Sequence, residues 1–106
     1  MFGHSHTGET DEVLDTLCSP IRRRLLFSLY ERGRDDGELP IQHVSGLAFE
    51  EGNIWAELHH VHLPKLQEKG YVRWDSDEHT ITRGPEWNQI EPLLRLVYNH
   101  LNELPP

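Results

Sequence analysis

The stretch His62-Leu63-Pro64-Lys65-Leu66-Gln67-Glu68-Lys69-Gly70-Tyr71-Val72-Arg73-Trp74 decides how the chain folds. Leu63 and Leu66 lie one helical turn apart, Lys69-Gly70 is a helix stop, and Tyr71-Val72-Arg73-Trp74 switches the apolar period from helical to alternating. Upstream, Asn53 is a candidate N-cap for a long helix over Ile54–Lys69. Pro64 inside it removes one backbone donor and collides one turn back, which predicts a kink near His60–Pro64 or a helix redirected there. Downstream, Asp75-Ser76-Asp77-Glu78-His79 is a polar tip and Thr80-Ile81-Thr82-Arg83 a second alternating run, so the pair reads as a β-hairpin closed by Gly84-Pro85. Glu86 to Glu103 is a last helix with Ile90, Leu93, Leu94, Val97, Tyr98 and Leu101 at helical spacing; Pro92 in its second turn puts the regular part from about Glu91.

Toward the N-terminus, Ser19-Pro20 is a helix start, Ser as N-cap and Pro where its missing N–H costs nothing. A helix from Pro20 to about Arg32 follows, with Ile21, Leu25, Leu26, Leu29 and Tyr30 as its buried stripe and Gly33 as its stop. A shorter helix precedes it from Asp11, with Val13, Leu14 and Leu17 on one face, and Cys18 beside them reads as a small buried thiol. Residues 1–10 hold too little apolar surface to order and read as a disordered tail. Between the second helix and Asn53, Arg34–Glu38 is a turn and Leu39 is extended. Pro40 there opens a third helix carrying Ile41, Val44, Leu47 and Ala48.

The resulting order, three helices, a long helix, a hairpin and a terminal helix, is that of an α+β, mostly helical winged helix-turn-helix domain with a β-hairpin wing. The run Leu17-Cys18-Ser19-Pro20-Ile21-Arg22-Arg23-Arg24-Leu25-Leu26 resembles the opening of ArsR-type winged-helix regulators, with their Pro-x-Arg start and aliphatic run. The His62–Val72 run resembles the end of the recognition helix and the first wing strand of that superfamily, and with Pro64 it is most similar to small haloarchaeal winged-helix proteins. The resemblance spans roughly Asp11 to Arg83. It implies a winged helix-turn-helix domain over 11–84, a recognition helix at 54–69, a wing at 71–83 and a C-terminal dimerisation helix over 85–106.

On that reading the partners are double-stranded DNA and a second copy of the chain, and the function is transcriptional regulation. The candidate DNA contacts are Asn53, Trp55, Glu57, His60 and Val61 on the helix, with Lys65, Lys69, Arg73, Arg83, Arg22 and Arg23 as a positive strip facing phosphate. That strip matters because ten Lys+Arg stand against eighteen Asp+Glu, a net charge of −8 that repels phosphate unless the cations cluster. The same arginines can equally be solvated partners of nearby carboxylates. Val13, Leu14, Leu17, Trp87, Ile90, Leu93, Leu94, Val97 and Leu101 exceed what one wall of a 106-residue domain needs, and are the expected dimer interface. Where the family presents Ser, Thr, Gln or Arg to bases, this chain has Ile54-Trp55-Ala56-Glu57-Leu58-His59-His60-Val61, with no Arg for guanine. The alternative is therefore a winged-helix module that binds another protein and not DNA.

Other functions find less support in the residues. Eight histidines, three of them in His59-His60-Val61-His62, raise a metal site, but the spacing gives one helical turn of ligands and no companions, so no metal and no cofactor is expected. His59 or His62 bonded to backbone, and His60 touching base or phosphate, are the competing uses. Trp55 and Trp74 read as core anchors or as flanks of the groove face. A single cysteine excludes an internal disulfide, and Arg22 near Cys18 offers at most a redox-sensitive thiol. There is no phosphate-cradling Gly loop, GxSxG or HExxH, so no enzyme is expected. No apolar run is long enough for a membrane span, which leaves a cytoplasmic protein as the expectation.

Overall fold

A computed structural model of the chain describes residues 4–33, 37–44, 46–47 and 52–103, with side chains described from Thr10 to Leu101. The fold is α+β and mostly helical, with one small antiparallel sheet. Helix α1 (His4–Leu17) and helix α2 (Pro20–Arg32) meet at a tight corner. Ser19 has extended backbone and its Oγ accepts the N–H of Arg22 at 3.3 Å, Pro20 occupies the first turn, and Gly33 at φ 83 ends α2. Helix α1 starts earlier than its apolar face requires, so the stretch 4–10 is helical and not a loose tail. Once Val13 and Leu17 are anchored in the core, added turns without proline need only propagate. Cys18 lies past the end of α1 in the turn toward Ser19 and is exposed, correcting the buried thiol.

After α2, strand β1 (Leu39–Pro40) leads into a single 3₁₀ turn, Ile41–His43. The expected third helix does not form over these residues: Ile41 and Val44 are buried, but the chain is extended again at Val44, and Ala48 lies outside the described residues. The acidic break Glu50-Glu51 and the turn residues 34–36 lie outside them too.

The Ile54–Glu68 rod is continuous but changes pitch. Helix α3 (Ile54–Glu57) passes into a π-helical turn, Leu58–His62, and then helix α4 (Leu63–Glu68). Leu63 N–H donates to Leu58 O, five residues back, just before Pro64, so the proline-induced irregularity takes the form of a widened turn. The rod ends in a Schellman motif: Gly70 at φ 79 donates to Gln67 O at 3.0 Å, and Tyr71 N–H to Leu66 O at 3.1 Å. Strands β2 (Val72–Asp75) and β3 (Thr80–Arg83) form the hairpin, and β1 adds to the far edge to give the order β1-β3-β2. Val72 faces Arg83, Trp74 faces Ile81, and Leu39 pairs with Ile81 from the other side. Gly84 closes the hairpin where a Cβ would lie 2.3 Å from Gly70 O, so only glycine fits at the wing's root.

Helix α5 (Trp87–Glu103) starts at Trp87, ahead of the expected Glu91, because Pro92 is on the exposed side and frees only one carbonyl there. The core joins Leu25, Leu26 and Leu29 of α2 to Leu58, Leu63 and Leu66 of the rod, to Tyr71, Val72 and Ile81 of the sheet, and to Trp87, Ile90 and Leu94 of α5. Among the described residues no helix is long and apolar enough to cross a membrane.

Candidate nucleic-acid interface

The rod buries Leu58, His62, Leu63 and Leu66 and turns the opposite side outward. Ala56, Glu57, His60 and Val61 are exposed, Val61 at 49%. This outward stripe contains every rod position proposed to reach bases except Asn53 and Trp55. Asn53 is exposed at the start of the rod, where its side chain makes no capping hydrogen bond.

Trp55 belongs to a different face, the one that clamps the hairpin. Its ring lies 5.4 Å from that of His59, and His59 is 5.4 Å from Trp74 and 5.8 Å from His79. Trp55 O accepts from His59 Nδ1 at 2.8 Å, which fixes the imidazole's orientation. Gln67 Oε1 accepts the backbone N–H of Trp74 at 2.9 Å and ties the last turn of the rod to β2. Rod and hairpin are thus one body, joined by aromatic packing and a hydrogen bond. Both tryptophans are half-buried in that junction.

Most of the expected positive strip is used elsewhere. Arg22 is 7% exposed: its Nε donates to Thr16 O and its Nη2 to Asp15 O, each at 2.9 Å, and Nη1 reaches His62 Nδ1 at 3.3 Å. Arg23 Nη1 donates to Leu17 O at 2.6 Å. The pair satisfies the carbonyls left unbonded at the end of α1, where the helix dipole also favours cations. Arg22 is therefore withdrawn from phosphate, and Arg23 is half-buried with its guanidinium engaged on α1.

Arg83 repeats the arrangement at the end of α2. Its Nη2 donates to Leu29 O at 3.2 Å and Tyr30 O at 3.3 Å, its Nη1 pairs with Glu91 at 3.2 Å, and it stacks 4.7 Å from the Trp87 ring centroid. Trp87 Nε1 donates to the same Glu91 carboxylate. Arg83 faces inward because it stands opposite Val72 on the hairpin's core side.

Lys65 Nζ sits 2.7 Å from Asp15 Oδ2, and this contact holds the Asp15 carboxyl below its usual range. Lys69 is half-buried nearby. Arg73 is exposed on β2 and has no hydrogen-bond or ion-pair partner among the described residues. Behind the stripe, His62 is 7% exposed, accepts from Arg22 at Nδ1 and presents Nε2 to Glu57 at 3.5 Å. Since guanidinium can only donate, His62 carries its proton on Nε2. Burial, then the Arg22 charge, lowers its pKa below the ordinary 6.5.

The expected dimer residues divide in two. Val13, Leu17, Trp87, Ile90 and Leu94 are buried in the chain's own core, because α1 and α5 pack on α2 and on each other, so they are not available to a second copy. Leu93 and Val97 are partly buried, while Leu14 and Leu101 are exposed at 49% and 46%. Leu96, which the sequence reading did not single out, is exposed at 65%.

A family model described as a domain of unknown function, DUF7344, matches residues 48–82, which takes in the rod and most of the hairpin and leaves α1, α2, β1 and α5 outside. No curated protein and no solved structure matches the chain.

Proposed function

We propose that the protein is a DNA-binding regulator of the winged helix-turn-helix type that inserts the Ile54–Glu68 rod in the major groove and lays the hairpin on the flanking backbone. The observation that carries this reading is the rigid rod–hairpin body, which leaves Ala56, Glu57, His60 and Val61 outward as a stripe. Such a stripe is what a recognition helix needs in order to meet base edges. The β1-β3-β2 sheet supports the same reading, although a 3₁₀ turn at Ile41–His43 stands where the helix before the rod was expected. Two copies joined through the outer faces of α1 and α5, at Leu14 and Leu96, would present two rods to one duplex. Fluorescence anisotropy with short genomic duplexes, run across a KCl series, tests the proposal. Saturable binding at low salt supports it, and none at any salt overturns it.

A second reading is favoured by one specific feature: Arg22, Arg23 and Arg83 serve the fold, while Asp75, Asp77 and Glu78 are exposed at or beside the hairpin tip. On this reading the stripe docks a protein and not DNA. Binding confined to proteins in the same titration format, with DNA inert, distinguishes it.

A further inference from the structure

The chemistry of the outward stripe points to which bases it would meet. We infer that the stripe reads a pyrimidine step, a thymine beside a cytosine, in place of the guanine edge most often read by Arg or Lys. This rests on the DNA-binding reading and deepens it.

Major-groove edges differ in what they offer: guanine shows two acceptors, adenine an acceptor and a donor, cytosine the N4 amino donor, and thymine an acceptor and the C5 methyl. A reader of guanine needs a donor pair such as guanidinium or ammonium. The stripe has neither; its four side chains are Ala56, Glu57, His60 and Val61. Val61, half-exposed, and Ala56, five residues earlier, supply methyl groups, which suit the thymine C5 methyl. Glu57 supplies only acceptors, and the one base edge that offers a donor without a competing acceptor is cytosine N4.

The carboxylate of Glu57 is also positioned. One oxygen, Oε2, faces His62 Nε2 at 3.5 Å, and His62 is itself held by Arg22, so the carboxylate is oriented through one of its two oxygens while 51% of the side chain stays exposed. A flexible Glu on a DNA-facing helix would only repel phosphate, whereas a tethered one can meet a fixed amino group. His60 and Val61 both lie outward within the π-helical turn.

The test is selection of duplexes from a random-sequence library by the full chain, followed by base-analogue substitution in the enriched motif. Replacing the motif's thymine by deoxyuridine removes one methyl, and the expected loss of affinity is about fourfold, from a single buried carbon. Val61→Ala should make the protein less sensitive to that replacement. Glu57→Ala should raise affinity for unselected duplexes, since a negative charge is gone, while the advantage of the C·G pair over other pairs shrinks by about tenfold, the value of a charge-assisted hydrogen bond. A purely structural role for Glu57 would not move that preference. An enriched motif indifferent to deoxyuridine and to Glu57→Ala overturns this inference while leaving DNA binding in place. A library from which nothing is enriched and no duplex binds saturably overturns both.

Discussion

Arg73 and Arg83 sit on neighbouring strands of one hairpin, yet they belong to different parts of the molecule. Arg73 pairs in register with Thr82 and projects to solvent, whereas Arg83 pairs with Val72 and projects into the core, where it joins the end of α2 to Glu91 and Trp87. One residue of strand register decides between a solvent-facing guanidinium and a structural cap, because successive side chains on a strand face opposite ways. Arg22 and Arg24 on α2 differ in the same manner: Arg22 is buried against the end of α1, and Arg24 is exposed. In this acidic chain the inward arginines complete helix ends, and only the outward cations are free for a polyanion.

The largest effect that would break this contrast is at Arg83. Arg83→Ala takes donors from two α2 carbonyls and leaves Glu91, only 18% exposed, without its principal counter-charge. Breaking a partly buried pair of this kind costs about 2–3 kcal/mol, allowing for what solvent recovers. Urea denaturation of wild type and variant measures it. A change below about 0.5 kcal/mol would mean that the cap and the ion pair contribute nothing.

Arg22→Ala comes next. It leaves neutral acceptors behind, the carbonyls of Asp15 and Thr16 and the Nδ1 of His62, and not a stranded charge. The expected loss is about 1–2 kcal/mol, because unpaired neutral acceptors cost less than a stranded carboxylate. Should Arg22→Ala cost more than Arg83→Ala, the ranking by stranded charge fails.

Both inward arginines were legible in the sequence by period alone. Arg22, Leu25, Leu26 and Leu29 recur at helical spacing, so Arg22 lies on the core stripe, and the hairpin tip fixes a register that sets Arg83 opposite Val72. Residue type points the other way: a charged side chain suggests the surface, and Ile21 competes with Arg22 for the stripe. The caps of α2, the stop at Gly70 and the hairpin were all legible because each rests on local backbone chemistry, whereas the kink expected near His60–Pro64 takes the form of a π-turn in a continuous rod. The 3₁₀ turn at Ile41–His43 was not, since its apolar spacing imitates a helix until β1 pairs with β3 and holds the chain extended. The clamp of His59 on Trp74 and His79 was invisible for another reason: it joins residues of two elements whose relative placement no local pattern encodes.

His62 sharpens the contrast through pH. Its folded pKa is below 6.5, so between that value and 6.5 the unfolded chain binds more protons than the folded one, and stability rises with pH across the window. The contribution is complete above 6.5 and is lost as pH falls, because a protonated ring can no longer accept from Arg22. His62→Asn keeps an acceptor for Arg22 without the titration. Urea midpoints followed from pH 8 to pH 5 should fall more steeply for wild type than for the variant. Parallel curves would remove His62 from the Arg22 node. Asp15 has the same sign at lower pH: Lys65 holds its carboxyl below 3.8, and the benefit fades as pH drops through that range.

Arg73 should show the smallest effect on stability and the clearest one on DNA. It is exposed, without a partner among the described residues, so Arg73→Ala should change the unfolding free energy from urea denaturation by less than about 0.5 kcal/mol. If its guanidinium meets a phosphate, the variant should bind every duplex more weakly by a similar factor, and the slope of log affinity against log salt should flatten by about 1. With Arg22, Arg23 and Arg83 occupied and Lys65 shared with Asp15, few cations remain, and the wild-type slope itself should be shallow, roughly −2 to −3 per protomer. A steep slope would require the inward arginines to leave their carbonyls on binding. Arg83→Ala would then flatten the slope as much as Arg73→Ala does, and the division between inward caps and outward contacts would hold only in the free protein.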